Sequence, residues 1–176
     1  MNSFLELAQN RFSERHFDPN RPVEEEKLRL ILEVGRIAPT ACNYQPQVVY
    51  VLKSPEAMEK ARSTRASLCG CTVALLVCYD IDQVWKNPRD RCYDNYNAGE
   101  QDASIVATSM MFEAEELGVH TLWIRGFDSR TVIDTFDLPM NHIPVMMLAL
   151  GYPGGKSHPA HLHNERKELE ETVREL

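Results

Sequence analysis

Arg11, Ser13 and Arg15 alternate along the stretch Arg11-Phe-Ser-Glu-Arg15-His-Phe17. In an extended chain, side chains two residues apart point the same way. The triplet therefore offers two guanidinium forks and a hydroxyl on one face, a set suited to clamping a phosphate. Taken alone, it also reads as a solvated charged face. A second group lies in Ala38-Pro39-Thr40-Ala41-Cys42-Asn43-Tyr44-Gln45-Pro46, a loop pinned by prolines. The amides of Asn43 and Gln45 donate and accept, matching the carbonyl and ring-nitrogen edges of a flat heterocycle. The plain alternative is an Asn-containing turn. A third group is Trp123-Ile-Arg125-Gly126-Phe-Asp128. A glycine at a strand end lets backbone N–H groups come close to a ligand, whereas the plain reading is a strand end and turn with Trp123 in the core.

These residues need elements to hold them. Ser3 and Glu6 have capping-box spacing, which predicts a first helix over Asn2–Gln9. Residues 11–17 read as an extended strand or loop. Glu24 to Glu26 favour a helix start, and Leu28, Ile31, Leu32 and Gly35 continue it to about Ile37. Val48–Lys53 reads as a strand, and Ser54-Pro55-Glu56 opens a helix. Val73–Tyr79 is a continuous apolar run expected in the centre of a sheet. Residues 80–99 are polar and aperiodic, expected as a surface excursion. Asp102 is placed to cap a helix whose apolar residues, from Ala103 to Leu117, leave little polar face before Gly118 ends it. Strands are expected at Val119–Arg125 and Ile143–Leu150, and between them Ser129 is expected to cap a short helix ending near Phe136. The fold class is α+β: a mixed central β-sheet flanked by helices.

The 176 residues suffice for one domain with a sizeable core, so a single domain over 1–176 is expected. A net charge of −7 gives no electrostatic reason to bind nucleic acid or an anionic membrane. No apolar stretch is long enough to span a bilayer. Five cysteines, an odd number with no leader pattern at the N-terminus, point to reduced thiols and a cytoplasmic location. No strand is followed by a Gly-rich dinucleotide fingerprint.

In order, Arg-x-Ser-x-Arg, Ala-Pro-Thr-Ala-x-Asn-x-Gln-Pro, Asp102-Ala-Ser with its apolar helix to Leu-Gly118, Trp-Ile-x-Gly-Phe and Leu-Gly-Tyr-Pro153 resemble the nitroreductase family. The resemblance covers nearly the whole chain. It implies an FMN-binding α+β homodimer with its flavin sites at the subunit interface. The polar C-terminal segment, about 154–176, has few apolar anchors and is expected either to fray or to pack on the partner. The resemblance implies that Arg11, Ser13 and Arg15 meet the phosphate and ribityl chain. Pro39, Thr40, Ala41, Asn43 and Gln45 would approach the flavin, typically from the second subunit. Arg125 and Gly126 would offer backbone donors near N5 and O4. Arg166, with Lys167 as second choice, matches a late basic pair at the phosphate.

The implied activity is an oxidoreductase that takes hydride from NADH or NADPH and reduces nitroaromatic, quinone or related small-molecule acceptors by a ping-pong mechanism. The flavin carries the chemistry, so no catalytic side chain and no metal are expected. Many members place an Asn or Lys at the pyrimidine edge, and no clear match is found here. Arg65 or Ser67 are the substitutes. The aromatics Trp85, Tyr93 and Tyr96 are either lids or surface packing. Rival readings are a metal site at Cys69, Cys71 and Cys78 or at His158, His161 and His163, and a thiol enzyme using Cys42. The histidine and cysteine spacings match no standard zinc pattern. A flavin-binding dimer that senses or stores, a dehalogenase and a flavin-cleaving enzyme are the remaining alternatives.

Overall fold

The computed structural model describes residues 3–93 and 95–176. Its elements are α1 (Phe4–Asn10), α2 (Glu25–Ile37), a 3-10 turn (Ala41–Asn43), β1 (Gln47–Leu52), α3 (Pro55–Ser63), β2 (Val73–Asp80), α4 (Gly99–Glu116), β3 (His120–Ile124), α5 (Ser129–Phe136), β4 (His142–Gly151) and α6 (Leu169–Thr172). The four strands pair antiparallel in the order β1-β2-β4-β3. Among the described residues, parallel pairing is confined to a bridge between Ser13 and Thr121, so the mixed character expected of the sheet reduces to that contact.

β2 and β4 lie in the middle of the sheet and are covered on both faces, which is why they read as unbroken apolar runs. On one face Leu76, Met147 and Ala149 pack under Met58 and Ala61 of α3 and Val132 and Ile133 of α5. On the other, Leu75, Val77, Met146 and Leu148 meet Leu28 and Ile31 of α2 and Ala103, Val106 and Met110 of α4. Pairing skips Val145, because Val77 faces Met146 whereas Cys78 faces Pro144. A proline has no N–H to give a ladder, and this bulge accommodates it inside a central strand.

Local signals decide several boundaries. Ser3 and Glu6 form the capping box of α1, and the expected start at Asn2 lies outside the described residues. Ser54 caps α3 with Pro55 behind it. Two caps differ from the sequence reading. α4 starts at Gly99 with Ala98 as its N-cap, and Asp102 is a buried residue of its first turn. Glycine is required at 99 because a Cβ there would overlap the ring of Tyr79. α5 is capped by Asp128, which is extended and accepts from Thr131 N at 2.8 Å, so Ser129 is the first helical residue. α4 is mostly interior to the chain's own fold, as Ala103, Val106, Ala107, Met110 and Ala114 are all fully buried. Beyond Pro153 the chain is irregular apart from α6, with Leu169, Val173 and Leu176 exposed.

Candidate functional site

Residues 11–15 lie along the outer edge of the sheet. Ser13 bridges Thr121, and Glu14 N–H donates to Thr121 O at 2.9 Å. Fixed in this way, Arg11, Ser13 and Arg15 line a hollow of about 240 Å³ together with Leu162, His163 and Arg166. The early triplet and the late arginine, about 150 residues apart, thus share one wall. Lys167 is exposed and is not part of that lining. Three guanidinium groups and a hydroxyl around a space of this size form a donor set that fits a phosphate ester.

β3 leads from this hollow to a second one. Arg125 is four steps along the chain from Thr121, about 13 Å at the usual strand rise. There, Arg65, Arg125, Gly126, Phe127 and Asp128 line a space of about 520 Å³. Phe127 N–H donates to Arg125 O at 2.9 Å, which closes a three-residue turn centred on Gly126. Gly126 is not among the residues with positive φ, and a Cβ on it would meet no atom within 4 Å. Neither conformation nor packing in this chain calls for glycine there. What its missing side chain leaves is open space against the backbone. The Arg125 guanidinium folds back over the turn, donating to Phe127 O at 3.2 Å and to Ser129 Oγ at 3.3 Å. Arg125 therefore offers backbone here, while Arg65, itself left-handed with φ 66°, brings a positive side chain to the same hollow. Ser67, the other substitute, instead has its hydroxyl 3.4 Å from Cys69 Sγ.

The 38–46 loop joins neither hollow within one subunit. Cys42, Asn43 and Gln45 all adopt positive φ (49°, 58° and 51°). Such non-glycine residues persist only where their surroundings hold them. Asp102 Oδ1 accepts from Ala41 N at 2.9 Å, and Thr40 Oγ1 accepts from Gln45 N at 3.0 Å. Asn43 and Gln45 are left exposed. The sequence reading assigned Asp102 to a helix cap, whereas the fold uses it as the post under this loop.

Other candidate features separate from the site. Among the described residues no group of three or more His, Cys, Asp or Glu is arranged to hold a metal ion. Cys71 and Cys78 are buried, and burial pushes both thiols up to about 12. Trp85, Tyr93 and Tyr96 cluster, with ring centroids 6.2 Å apart for Trp85–Tyr96 and 5.6 Å for Tyr93–Tyr96. A concavity of about 580 Å³ is lined by Glu26, Arg29, Leu30 and Glu33, one stripe of α2 that cannot enclose a ligand by itself.

The ordered motifs agree with comparison to known proteins. The Nitroreductase family model matches residues 8–69 and 60–152. The chain belongs to the nitroreductase family. A nitroreductase family protein from Clostridium difficile 630 has a solved structure that superposes with a TM-score of 0.88 at 36% identity, covering 99% of this chain and 98% of that one. YdgI, a candidate NAD(P)H nitroreductase of Bacillus subtilis (strain 168), is 23% identical over 184 residues, covering 85% of this chain and 88% of its own. A candidate NAD(P)H:FMN oxidoreductase of Staphylococcus epidermidis ATCC 12228 shares the fold at a TM-score of 0.81 and 21% identity, with 100% of this chain and 96% of that one covered. Among the described residues of this nitroreductase family member, no helix is long and apolar enough to cross a membrane.

Proposed function

We propose that this protein is an FMN-dependent oxidoreductase that takes reducing equivalents from NADH or NADPH and delivers them to a nitroaromatic, quinone or related acceptor. The observation that carries the reading is the joining of Arg11, Ser13, Arg15 and Arg166 around one hollow, with β3 running from it to the open backbone at Gly126. The names of the relatives from Bacillus subtilis and Staphylococcus epidermidis support the donor and the flavin.

The guanidinium groups of Arg11, Arg15 and Arg166 hold the phosphate by charge-assisted hydrogen bonds. Lys167 stands outside this set and is assigned no contact. The turn at Arg125 and Gly126 presents backbone donors to the edge of the ring. Arg65 supplies positive charge at the pyrimidine edge, where preorganised charge stabilises a developing anion. What bound FMN contributes is hydride and electron transfer between a nicotinamide and an oxidised acceptor. Donor and acceptor use one space in turn, which gives ping-pong kinetics. No side chain of this chain is required as acid or base for the hydride step.

The site is completed by a second copy. Pro39, Thr40, Ala41, Asn43 and Gln45 are not among the residues lining either hollow of their own chain, as expected of a loop that serves the partner's flavin. Phe4, Leu5, Leu30 and Ile37 are exposed on α1 and α2, an apolar area suited to a homodimer. The 154–176 segment is the other candidate for contact with the partner, and the cytoplasm is the proposed location. The test is the visible spectrum of the purified protein, followed anaerobically on addition of NADH and then NADPH. A flavin spectrum that bleaches supports the reading and identifies the donor. A protein that is colourless and takes up no added FMN overturns it.

A further inference from the structure

Glu14 stands between two residues of the anion clamp and yet is 0% exposed. Ser13 and Arg15 face the hollow, so the side chain between them goes to the opposite face. There Oε1 accepts from His16 N at 2.7 Å, and Oε2 accepts from the Ser157 hydroxyl. His120 Nδ1 lies 3.3 Å from the same carboxylate oxygen. A buried carboxylate is destabilising unless its lone pairs are filled. Here the hydrogen-bond partners come from two segments, the clamp strand and the chain that follows β4, while His120 of β3 lies alongside without a hydrogen bond to the carboxylate.

The same seam extends on both sides of Glu14. Gly154 N donates to His16 O at 2.7 Å, and Phe17 bridges Pro153. A Cβ on Gly154 would come within 2.8 Å of His16 O, so the two backbones are in close contact. Further on, His163 Nε2 lies 3.2 Å from Gln9 O, and the His163 and Phe12 rings stand edge to face at 6.1 Å. The chain from 153 to 163 thus runs back along residues 9–17 and delivers Arg166 to the wall of the hollow.

We propose that Glu14 is a positioning residue: through Ser157 it fastens the segment 154–166 to the clamp strand and so sets Arg166 opposite Arg11 and Arg15 for a phosphate-bearing ligand. The inference rests on the hollow being the phosphate end of the FMN site. Its consequence is selective for phosphate. Releasing the segment withdraws Arg166 from the phosphate but leaves the backbone turn at Gly126 in place. FMN should be held less well, whereas riboflavin, which has no phosphate, should be unaffected.

The test uses the full chain with Ser157→Ala, Ser157→Thr and Glu14→Gln, and Glu56→Ala on the exposed face of α3 as control. Two readouts are taken: amide hydrogen exchange over 154–166 without ligand, and dissociation constants for FMN and riboflavin from flavin fluorescence. Ser157→Ala should exchange faster across the segment and bind FMN about tenfold less tightly, the cost of one hydrogen bond in the site. Its riboflavin affinity should match the parent's. Ser157→Thr should restore both properties, Glu14→Gln should follow Ser157→Ala, and Glu56→Ala should change neither readout. Parental exchange in Ser157→Ala, or equal losses of FMN and riboflavin, overturns the proposal. A parent that binds no flavin overturns the functional reading instead. The exchange data then still decide whether the fastening exists, supporting it if exchange is faster in Ser157→Ala and refuting it if unchanged.

Discussion

Gly126→Ala separates the needs of the fold from those of the ligand. The added methyl meets no atom within 4 Å and falls on a backbone without positive φ. At such a position, replacing glycine stabilises by about 0.4–1 kcal/mol, because the unfolded chain loses freedom. For a chain of this length that corresponds to roughly 1–4 °C in Tm. The ligand-free variant should therefore melt no lower than the parent. If a flavin ring lies against this turn, the methyl stands in its place and parts the ring from its backbone donors. Leaving such a polar contact unmade costs about 1–3 kcal/mol, roughly fivefold to 150-fold in Kd. The assays are thermal melting of ligand-free protein and FMN titration by fluorescence quenching. Parental FMN affinity in a well-folded variant would refute the approach of the ring to Gly126. A lowered Tm would refute the open geometry of the turn.

Three further outcomes are expected. Arg11→Ala and Arg15→Ala should each weaken FMN by about tenfold or more, since a charge-assisted contact contributes about 1.5–3 kcal/mol. FMN bound as tightly as by the parent in both variants would remove the phosphate from this hollow. At pH 8 a thiol reagent should modify exposed Cys42 and Cys92 quickly and Cys71 and Cys78 only on unfolding, because burial holds the latter pair near 12. Equal rates for Cys71 and Cys42 in the folded protein would contradict this. Asp80 accepts hydrogen bonds from Asp82 N, Gln83 and Asn141, which lower its carboxyl below the ordinary value. Its contribution is present above the ordinary carboxylate range and lost as pH falls through the folded value. Asp80→Asn should therefore destabilise the protein at neutral pH more than at pH 3, as read from denaturant midpoints. An equal loss at both would show that the charge plays no part.

Features set by a few neighbouring residues were legible in the sequence. The caps at Ser3 and Ser54 are decided within a turn, and the central strands announce themselves by length and apolar content. Asp128 and Ser129 are both able to cap, and only the extended backbone at 128 decides between them. Asp102 escaped the reading because its partner, Ala41, belongs to a loop 61 residues away. Arg65 is legible as a cation, but its nearness to Gly126 depends on a left-handed turn that arginine rarely adopts. Glu14 was least legible. Between two arginines it reads as one more surface charge, and only contacts with Thr121 and Ser157 show it to be interior. The triplet around it, by contrast, could be read from alternation alone.

β3 ends the sheet, with β4 on one side and no full strand on the other. An uncovered strand edge is a template on which other chains can add themselves. In this molecule the cover is the stretch carrying Arg11, Ser13 and Arg15, joined to β3 at Thr121. The residues proposed to grip an anion are thus the same ones that shield a sheet edge. If the proposed phosphate binds here and steadies the stretch, it would also keep the edge shut, and the proposed cofactor would then guard against self-association. Flavin-depleted stocks should accordingly be the ones that form aggregates on storage.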